Sequence, residues 1–368
     1  MTDLQKPASP PLGPGDRIPP FRVRANVNPV FNFDNVAGRW NVLYFPGTLA
    51  AEPSRARLEA LRAEAGLFDD AQASLFVVSN DPADETTGRL TDRIPGQRVL
   101  WDLDLAVART FGLIAMGPQG PALRPAFVVI DPGHFIRKVI HVSPDGADLA
   151  ELVGYLRRAH PVASYMGFAV PAPILVLPDV FEPGFCDRLV ALYDEKGGEI
   201  SGFMRDVGGK TVPVNDPSFK VRRDVLIEDE TLRRAVQDRI MRRVISQIER
   251  VHFFRATRME RYLVACYDSA EGGHFNPHRD NTTLGTAHRR FAVSINLNDD
   301  FEGGAVSFPE YGPTGYKAPK GGAVIFSCAL LHAVSTVTAG RRYAFLPFLY
   351  DDAAARIREQ NARHVASG

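Results

Sequence analysis

Fifteen residues near the middle of the chain, HPVASYMGFAVPAPI (160–174), hold three prolines and no hydrophobic period, and the patterns on either side of them obey different rules. Proline removes a backbone donor and fixes φ, so such a stretch suits neither a helix nor a sheet interior and reads as a joint. The 368 residues also exceed what one core comfortably supports. Two domains are therefore expected, 1–160 and 172–368, with 161–171 as linker. Before the joint, strands are expected at 40–45, 73–79, 126–131 and 135–141, the last two flanking the Asp131-Pro132-Gly133 turn. Helical composition falls at 54–65, 105–111 and 148–159. This alternation predicts an α/β domain in which helices cover a sheet.

After the joint the signals change twice. Phe185, Leu189, Leu192 and Tyr193 form a helical stripe, with Pro183 near its start and Gly197 just past its end. Leu232, Val236, Ile240, Val244 and Ile248 recur every four residues and predict a second helix, buried on one face and basic on the other. That basic face reads as solvated. Beyond Val251 come short strands broken by Gly, Pro and Asn, the pattern of a sandwich or jelly roll. Across 291–298, Phe291, Val293, Ile295 and Leu297 alternate with Ala292, Ser294, Asn296 and Asn298. A small, polar inner face is costly in a packed core but suits a cavity that takes a charged ligand.

Charge and composition narrow the function. With 43 basic and 43 acidic residues there is no net field to draw the chain to polyphosphate, so nucleic acid is not expected as a partner. No apolar run approaches the roughly 18 residues of a spanning helix, and the first residues lack the apolar core of a signal peptide, so no membrane association and a cytoplasmic location are expected. Cys186, Cys266 and Cys328 each sit in an apolar stretch and form no CxxC pair, which predicts buried free thiols rather than a disulfide framework or zinc ribbon.

Chemistry concentrates in two segments. In GGHFNPHRDNT, His278 and Asp280 stand two apart, so on an extended segment both project from one face and can chelate one ion. Chance supplies roughly one such pair in a chain of this composition, so the pair alone decides little. The segment HAVSTVTAGRRYAF adds His332 and, ten residues on, Arg342. Two imidazoles and one carboxylate on one face of an octahedral iron(II) leave three positions open, the arrangement non-haem oxygenases need. 2-Oxoglutarate would fill two of them and dioxygen the third, while the far carboxylate needs a buried cationic fork, for which a guanidinium is better suited than an ammonium. Alternation groups Arg342 with Ala344 and Leu346, and Arg341 with Tyr343 and Phe345, so Arg342 is assigned to the cavity side. Zinc is the competing metal, but no HExxH helix is present and zinc has no use for the downstream arginine. His274, Arg279, His288 and Arg290 crowd the same region, either as holders of a substrate carboxylate or orienters of a metal ligand, or as solvated loop charges.

The stretch from about Pro171 to Asp352 resembles the prolyl 4-hydroxylase-like branch of the iron(II)/2-oxoglutarate dioxygenases. Tyr267 with GGHFNPHRD, the glycine-turn hairpin INLNDDFEGGAVSFP, and the turn Lys320-Gly321-Gly322-Ala323 leading to Ser327 before His332 match that family in order. The resemblance implies an α+β double-stranded β-helix (jelly roll). His278, Asp280 and His332 then become metal ligands and the catalytic centre, Arg342 the 2-oxoglutarate anchor, and Tyr267 a second contact to that carboxylate, the alternative being an ordinary strand tyrosine. It also implies Fe(II), 2-oxoglutarate and O2, with ascorbate as a further candidate, and a reaction that releases succinate and CO2 while hydroxylating an aliphatic C–H bond. The implied substrate is amino-acid-like or peptidyl.

The first half resembles the AhpC/TSA peroxiredoxins through LGPGDRIPPFRV, NVLYFPG, SLFVVSNDP, WDLDLAVARTFGL and RPAFVVIDPGHFIRKV, in order across about 150 residues. A thioredoxin-like α/β fold is implied. That family's chemistry requires an activated thiolate, yet no cysteine precedes Cys186, and the Thr-x-x-Cys stretch is replaced by Phe45-Pro46-Gly47-Thr48-Leu49-Ala50-Ala51-Glu52. Arg124, in the position resembling the activating arginine, has no thiolate to serve. The domain is expected to lack peroxidase activity and to dock a substrate or form a homodimer. The rival to a hydroxylase is an oxygen or redox sensor, or a binding module, that holds iron without efficient turnover.

Overall fold

A computed structural model describes residues 11–117 and 120–365. By internal contacts the chain divides into two units, Met1–Pro171 with Pro309–Pro313, and Ala172–Phe308 with Thr314–Gly368.

The first unit is built on a seven-stranded sheet. Its strands run in the order Phe31–Asn32, Arg22–Ala25, Gln97–Trp101, Ala73–Ser79, Trp40–Gly47, Ala126–Ile130, Ile136–His141. The three central strands are parallel, and the last two add antiparallel. The apolar runs follow from burial on both faces. Leu43 and Phe45 join one cluster with Phe76 and Val128, while Val42 and Tyr44 join another with Val77 and Phe127. Helices Glu52–Ala63 and Ala147–Arg158 supply Leu58, Leu61, Leu152 and Leu156 to the second cluster. This is a thioredoxin-like peroxiredoxin fold. The turn where that fold carries a thiol is closed by carboxylates: Thr48 Oγ1 donates to Asp81 at 2.5 Å, and the Leu49 N–H donates to buried Asp84 at 3.0 Å. Arg124 is exposed.

The second unit is a double-stranded β-helix. Its larger sheet runs Leu175–Leu177, Ala323–Ser327, Phe291–Asn296, Arg341–Phe345, Leu263–Asp268, Arg223–Leu226, Glu199–Ile200; the smaller runs Lys220–Val221, His274–His278, His332–Val334, Val306–Ser307, Gly315–Tyr316. Every pairing within these orders is antiparallel. Several strands come from before Val251, where the sequence pattern predicted only helices. The hairpin Phe203–Val207 with Lys210–Val214 was also not anticipated, although Gly208 and Gly209 supply the two positive φ values that its two-residue turn requires.

Helix Pro183–Lys196 and the long helical run after Asp229 cover the outer face of the larger sheet. Phe185, Leu189, Val236 and Val244 share one core with Phe291, Val293, Ile295, Tyr343 and Phe345. The long run is not one α-helix: Glu230–Ile240 and Ser246–His252 are α, and Met241–Ile245 between them is π. A spacing of four exceeds the 3.6 residues of an α turn, so a straight α-helix would carry Val244 and Ile248 off the buried face. The wider π turn lets all five periodic residues stay buried. Among the described residues no helix is long and apolar enough to cross a membrane.

Candidate active site

The alternation along Phe291–Asn296 now has its cause. Phe291, Val293 and Ile295 enter the helix-backed core, which turns Ser294 and Asn296 toward the space between the two sheets. The inner faces of both sheets line a cavity there, with Ala292, Ser294, Tyr267 and Arg342 from the larger sheet and Phe275, His278, His332 and Val334 from the smaller.

At one end of the cavity His278, the last residue of its strand, lies directly opposite His332, the first residue of the adjacent strand. Asp280 follows in the next turn, where its N–H donates to the Cys328 carbonyl at 3.0 Å. One ligand atom from each of the three residues lies within 4.8 Å of the others. His278 Nε2 is 3.7 Å from Asp280 Oδ1, and His332 Nε2 is 3.4 Å from Asp280 Oδ2.

The other ring nitrogens decide the tautomers. His278 Nδ1 is 2.8 Å from the Asn276 carbonyl, and His332 Nδ1 is 3.0 Å from the Leu330 carbonyl. A carbonyl can only accept, so each Nδ1 carries the hydrogen and each Nε2 presents a lone pair to the shared space. Burial, followed by the facing His332, pushes the His278 imidazolium well below its ordinary range, which keeps the ring neutral and able to ligate. Phe275 stacks on His278 at 3.5 Å between ring centroids, and Phe326 packs against His332 at 4.6 Å, so neither ring is free to turn away. The donor set suits one divalent cation with positions left open.

Arg342 sits at 2% exposure on the strand beside Tyr267. Its Nε donates to Asn296 at 2.9 Å and its Nη2 to Ser294 at 2.7 Å, both neutral acceptors, while its buried Nη1 has no hydrogen-bond partner among the described residues. An unmatched N–H on a buried cation is costly unless an anion meets it, so this guanidinium fits the far carboxylate of 2-oxoglutarate. Arg341 points outward and pairs with Asp268 at 2.7 Å. Tyr267 is buried between two cations: its ring lies 5.3 Å from the Arg342 guanidinium and 5.8 Å from that of Arg222.

Sequence reasoning missed a second group of charges. Arg222 and Arg261 also line the cavity. Arg222 is buried and grips Asp224 with two bonds of 2.7 Å, and Arg261 reaches the same carboxylate at 3.2 Å. Burial tends to raise the Asp224 carboxyl, but Arg222 and then Arg261 outweigh it and hold it at about 2. Burial, with Arg222 beside it, pushes Arg261 down to about 10, so it stays a cation at neutral pH. The signal was present in KVRRD (220–224), where Lys220, Arg222 and Asp224 alternate with Val221 and Arg223. Four of these five residues are charged, so charge falls on both faces of an extended segment, which breaks the half-buried pattern unless those charges have a function or a partner.

The four charged residues singled out near His278 lie elsewhere. His274 Nδ1 meets the Gly272 carbonyl at 2.8 Å, Arg279 donates to the Ala329 carbonyl, and Arg290 donates to Ala287 at 2.9 Å. His288 sits 3.0 Å from Glu260, which also accepts from Arg289 at 2.7 Å. None of them lines the cavity. The three cysteines are free and buried.

An inward-facing triad of two histidines and an aspartate, with a buried arginine in the same β-helix cavity, has the architecture of an iron/2-oxoglutarate oxygenase domain. Residues 262–350 match the 2OG-Fe(II) oxygenase superfamily, and residues 14–139 match the AhpC/TSA family. The chain therefore carries a 2OG-Fe(II) oxygenase domain toward its C-terminus and an AhpC/TSA domain toward its N-terminus. The first of these families implies Fe(II) and 2-oxoglutarate.

A PKHD-type hydroxylase of Synechococcus sp. (strain JA-2-3B'a(2-13)) is 26% identical over 140 residues, which are 35% of this chain and 60% of that protein. The chain thus spans less than two thirds of its curated relative. Among solved structures, the viral collagen prolyl hydroxylase of Paramecium bursaria Chlorella virus-1, in its 2OG complex, is 17% identical. It covers 49% of this chain and 97% of its own, with a TM-score of 0.38. Xanthomonas campestris peroxiredoxin Q is 17% identical over 37% of this chain and 89% of its own, with a TM-score of 0.32.

Proposed function

We propose that this protein is an Fe(II)- and 2-oxoglutarate-dependent hydroxylase that oxidises an aliphatic C–H bond of an amino-acid-like or peptidyl substrate and releases succinate and CO2. His278, Asp280 and His332 would hold the iron, which supplies the oxygen activation that side chains cannot. Arg342 would hold the far carboxylate of 2-oxoglutarate, with Asn296 and Ser294 setting the plane of its guanidinium and Tyr267 bordering the same anion. The rings of Phe275 and Phe326 hold the imidazoles in place and keep water from that side of the site.

The observation that carries this reading is the unpartnered Arg342 Nη1, buried in the same cavity as the triad. The test is an anaerobic titration of the purified protein with Fe(II) and 2-oxoglutarate, following the visible absorption band of their chelate. The band is expected in the wild type and absent in His278→Ala. A band of full strength in His278→Ala would overturn the assignment.

A further inference from the structure

We propose that the substrate hydroxylated in this cavity carries a carboxylate, and that Arg261 is the residue that holds it; the assignment rests on the hydroxylase reading above. Three guanidiniums line the cavity, those of Arg222, Arg261 and Arg342. Arg342 bonds only to neutral Asn296 and Ser294, and the far carboxylate of 2-oxoglutarate would neutralise it. The other two share one counterion, Asp224. Asp280 and the near carboxylate of 2-oxoglutarate would offset the two charges of iron(II), and Asp224 offsets one of the two guanidiniums, so one positive charge remains in the cavity after the co-substrate is in place. An uncompensated charge in so sheltered a place is a binding site for an anion.

The hydrogen bonds show which arginine is free. Arg222 spends its fork on Asp224, donates again to Ser201 at 3.0 Å, and reaches the Tyr267 hydroxyl at 3.4 Å. Arg261 makes one hydrogen bond among the described residues, from Nη2 to Asp224 at 3.2 Å, which leaves most of its five N–H donors for a ligand. Its side chain is 26% exposed, and its guanidinium lies 5.4 Å from the ring centre of Phe348, another cavity-lining residue. Its backbone holds φ +67°, an unfavourable conformation for a side-chain-bearing residue, between the strands Arg258–Glu260 and Leu263–Asp268.

Nearby Lys220 adds no competing charge at neutral pH. Its Nζ donates to Ser201 at 2.8 Å and to the Gly202 carbonyl at 2.6 Å, and burial, followed by Arg222, pushes it down to about 5. The surplus is thus a single charge, which matches a carboxylate better than a doubly charged phosphate, and the planar fork of arginine suits a carboxylate's two oxygens. The four residues near His278 that the sequence suggested for this role are occupied elsewhere.

The test uses the full chain loaded with manganese(II), a redox-inert stand-in for iron, and saturating 2-oxoglutarate. Its melting temperature is read at constant ionic strength in acetate, in acetamide as the neutral isostere, and in phosphate. Acetate at tenfold its dissociation constant is expected to raise Tm by about 3 °C, acetamide to leave it unchanged, and Arg261→Gln to abolish the acetate increment. Should that variant not fold, Arg261→Lys keeps the charge without the fork, and the acetate midpoint is expected to rise several-fold. An acetate increment that is missing in the wild type, or that survives in Arg261→Gln, overturns the subsite. A larger increment from phosphate that is lost in Arg261→Gln overturns the carboxylate. If 2-oxoglutarate itself fails to raise Tm, the hydroxylase reading falls, and this assignment with it.

Discussion

Arg342 is a buried cation whose hydrogen-bond partners among the described residues are an amide and a hydroxyl, with no carboxylate, so its interaction with an anionic ligand should be strong. Truncating one member of a buried, hydrogen-bonded charge pair typically costs about 2–5 kcal/mol. Arg342→Ala is therefore expected to weaken 2-oxoglutarate binding by roughly 30- to 4000-fold, measured by the same anaerobic titration, while iron content stays at one per chain. A loss of iron together with 2-oxoglutarate would mean that the side chain serves the fold rather than the ligand.

Glu260 allows a test of stability against pH. Burial raises its carboxyl, but the hydrogen bond from His288 and the charge of Arg289 outweigh burial and hold it at about 2, below its ordinary 4.5. A depressed carboxyl contributes its stability in full above the unfolded value and loses it as pH falls through the folded one. The expected window therefore runs from about pH 4.5 down to about 2, and the contribution is at most about 3 kcal/mol. Glu260→Gln should be less stable than wild type at pH 7, and the gap should close across that window in urea melts. Parallel curves would show that the ion pairs contribute nothing net.

At the scale of elements, the turn after strand Glu302–Gly303, which pairs with Val337–Ala339, governs how tightly Arg342 is held. Gly304 has φ +64°, and a Cβ placed on it would lie 2.9 Å from Arg342 Cδ. Gly304→Ala should therefore keep the fold and the iron site while raising KM for 2-oxoglutarate several-fold, because the guanidinium is displaced from its seat on Asn296 and Ser294. Unchanged KM in steady-state assays would show that the neighbouring strand absorbs the extra methyl. The helical run after Asp229 makes a related point. Its five periodic residues stay buried only through the π turn at Met241–Ile245. Truncating Ile248, at 0% exposure, to Ala is expected to cost about 2–5 kcal/mol in chemical denaturation.

For the whole molecule, the thioredoxin-like unit has the sheet of its family but no cysteine before Cys186, and we propose that it lacks peroxidase chemistry. The turn before helix Glu52–Ala63 contains no thiol, and its backbone is held by Asp84. Metal-free full-length protein should not consume hydrogen peroxide in the presence of dithiothreitol above the blank rate, and a thiol-dependent turnover would contradict the reading. A role for this unit in docking substrate or in pairing two chains is our proposal. Size-exclusion of residues 1–160 alone separates the two versions, since a monomer would remove the pairing one.

The sequence by itself determined the parts of this protein that depend on local pattern. Imidazole and carboxylate spacing pointed to His278, Asp280 and His332, and strand alternation separated Arg342 from Arg341, because a period of two assigns faces without reference to the rest of the chain. The absent thiol was equally plain, since a missing residue needs no geometry. Only the tertiary structure decided which cations share the cavity. Arg222 and Arg261 stand 39 residues apart, each in a short break between two strands, and their common counterion becomes apparent only once folding brings them to Asp224. Periodicity records which face a residue occupies; whether its charge is balanced depends on neighbours that folding supplies from distant parts of the chain.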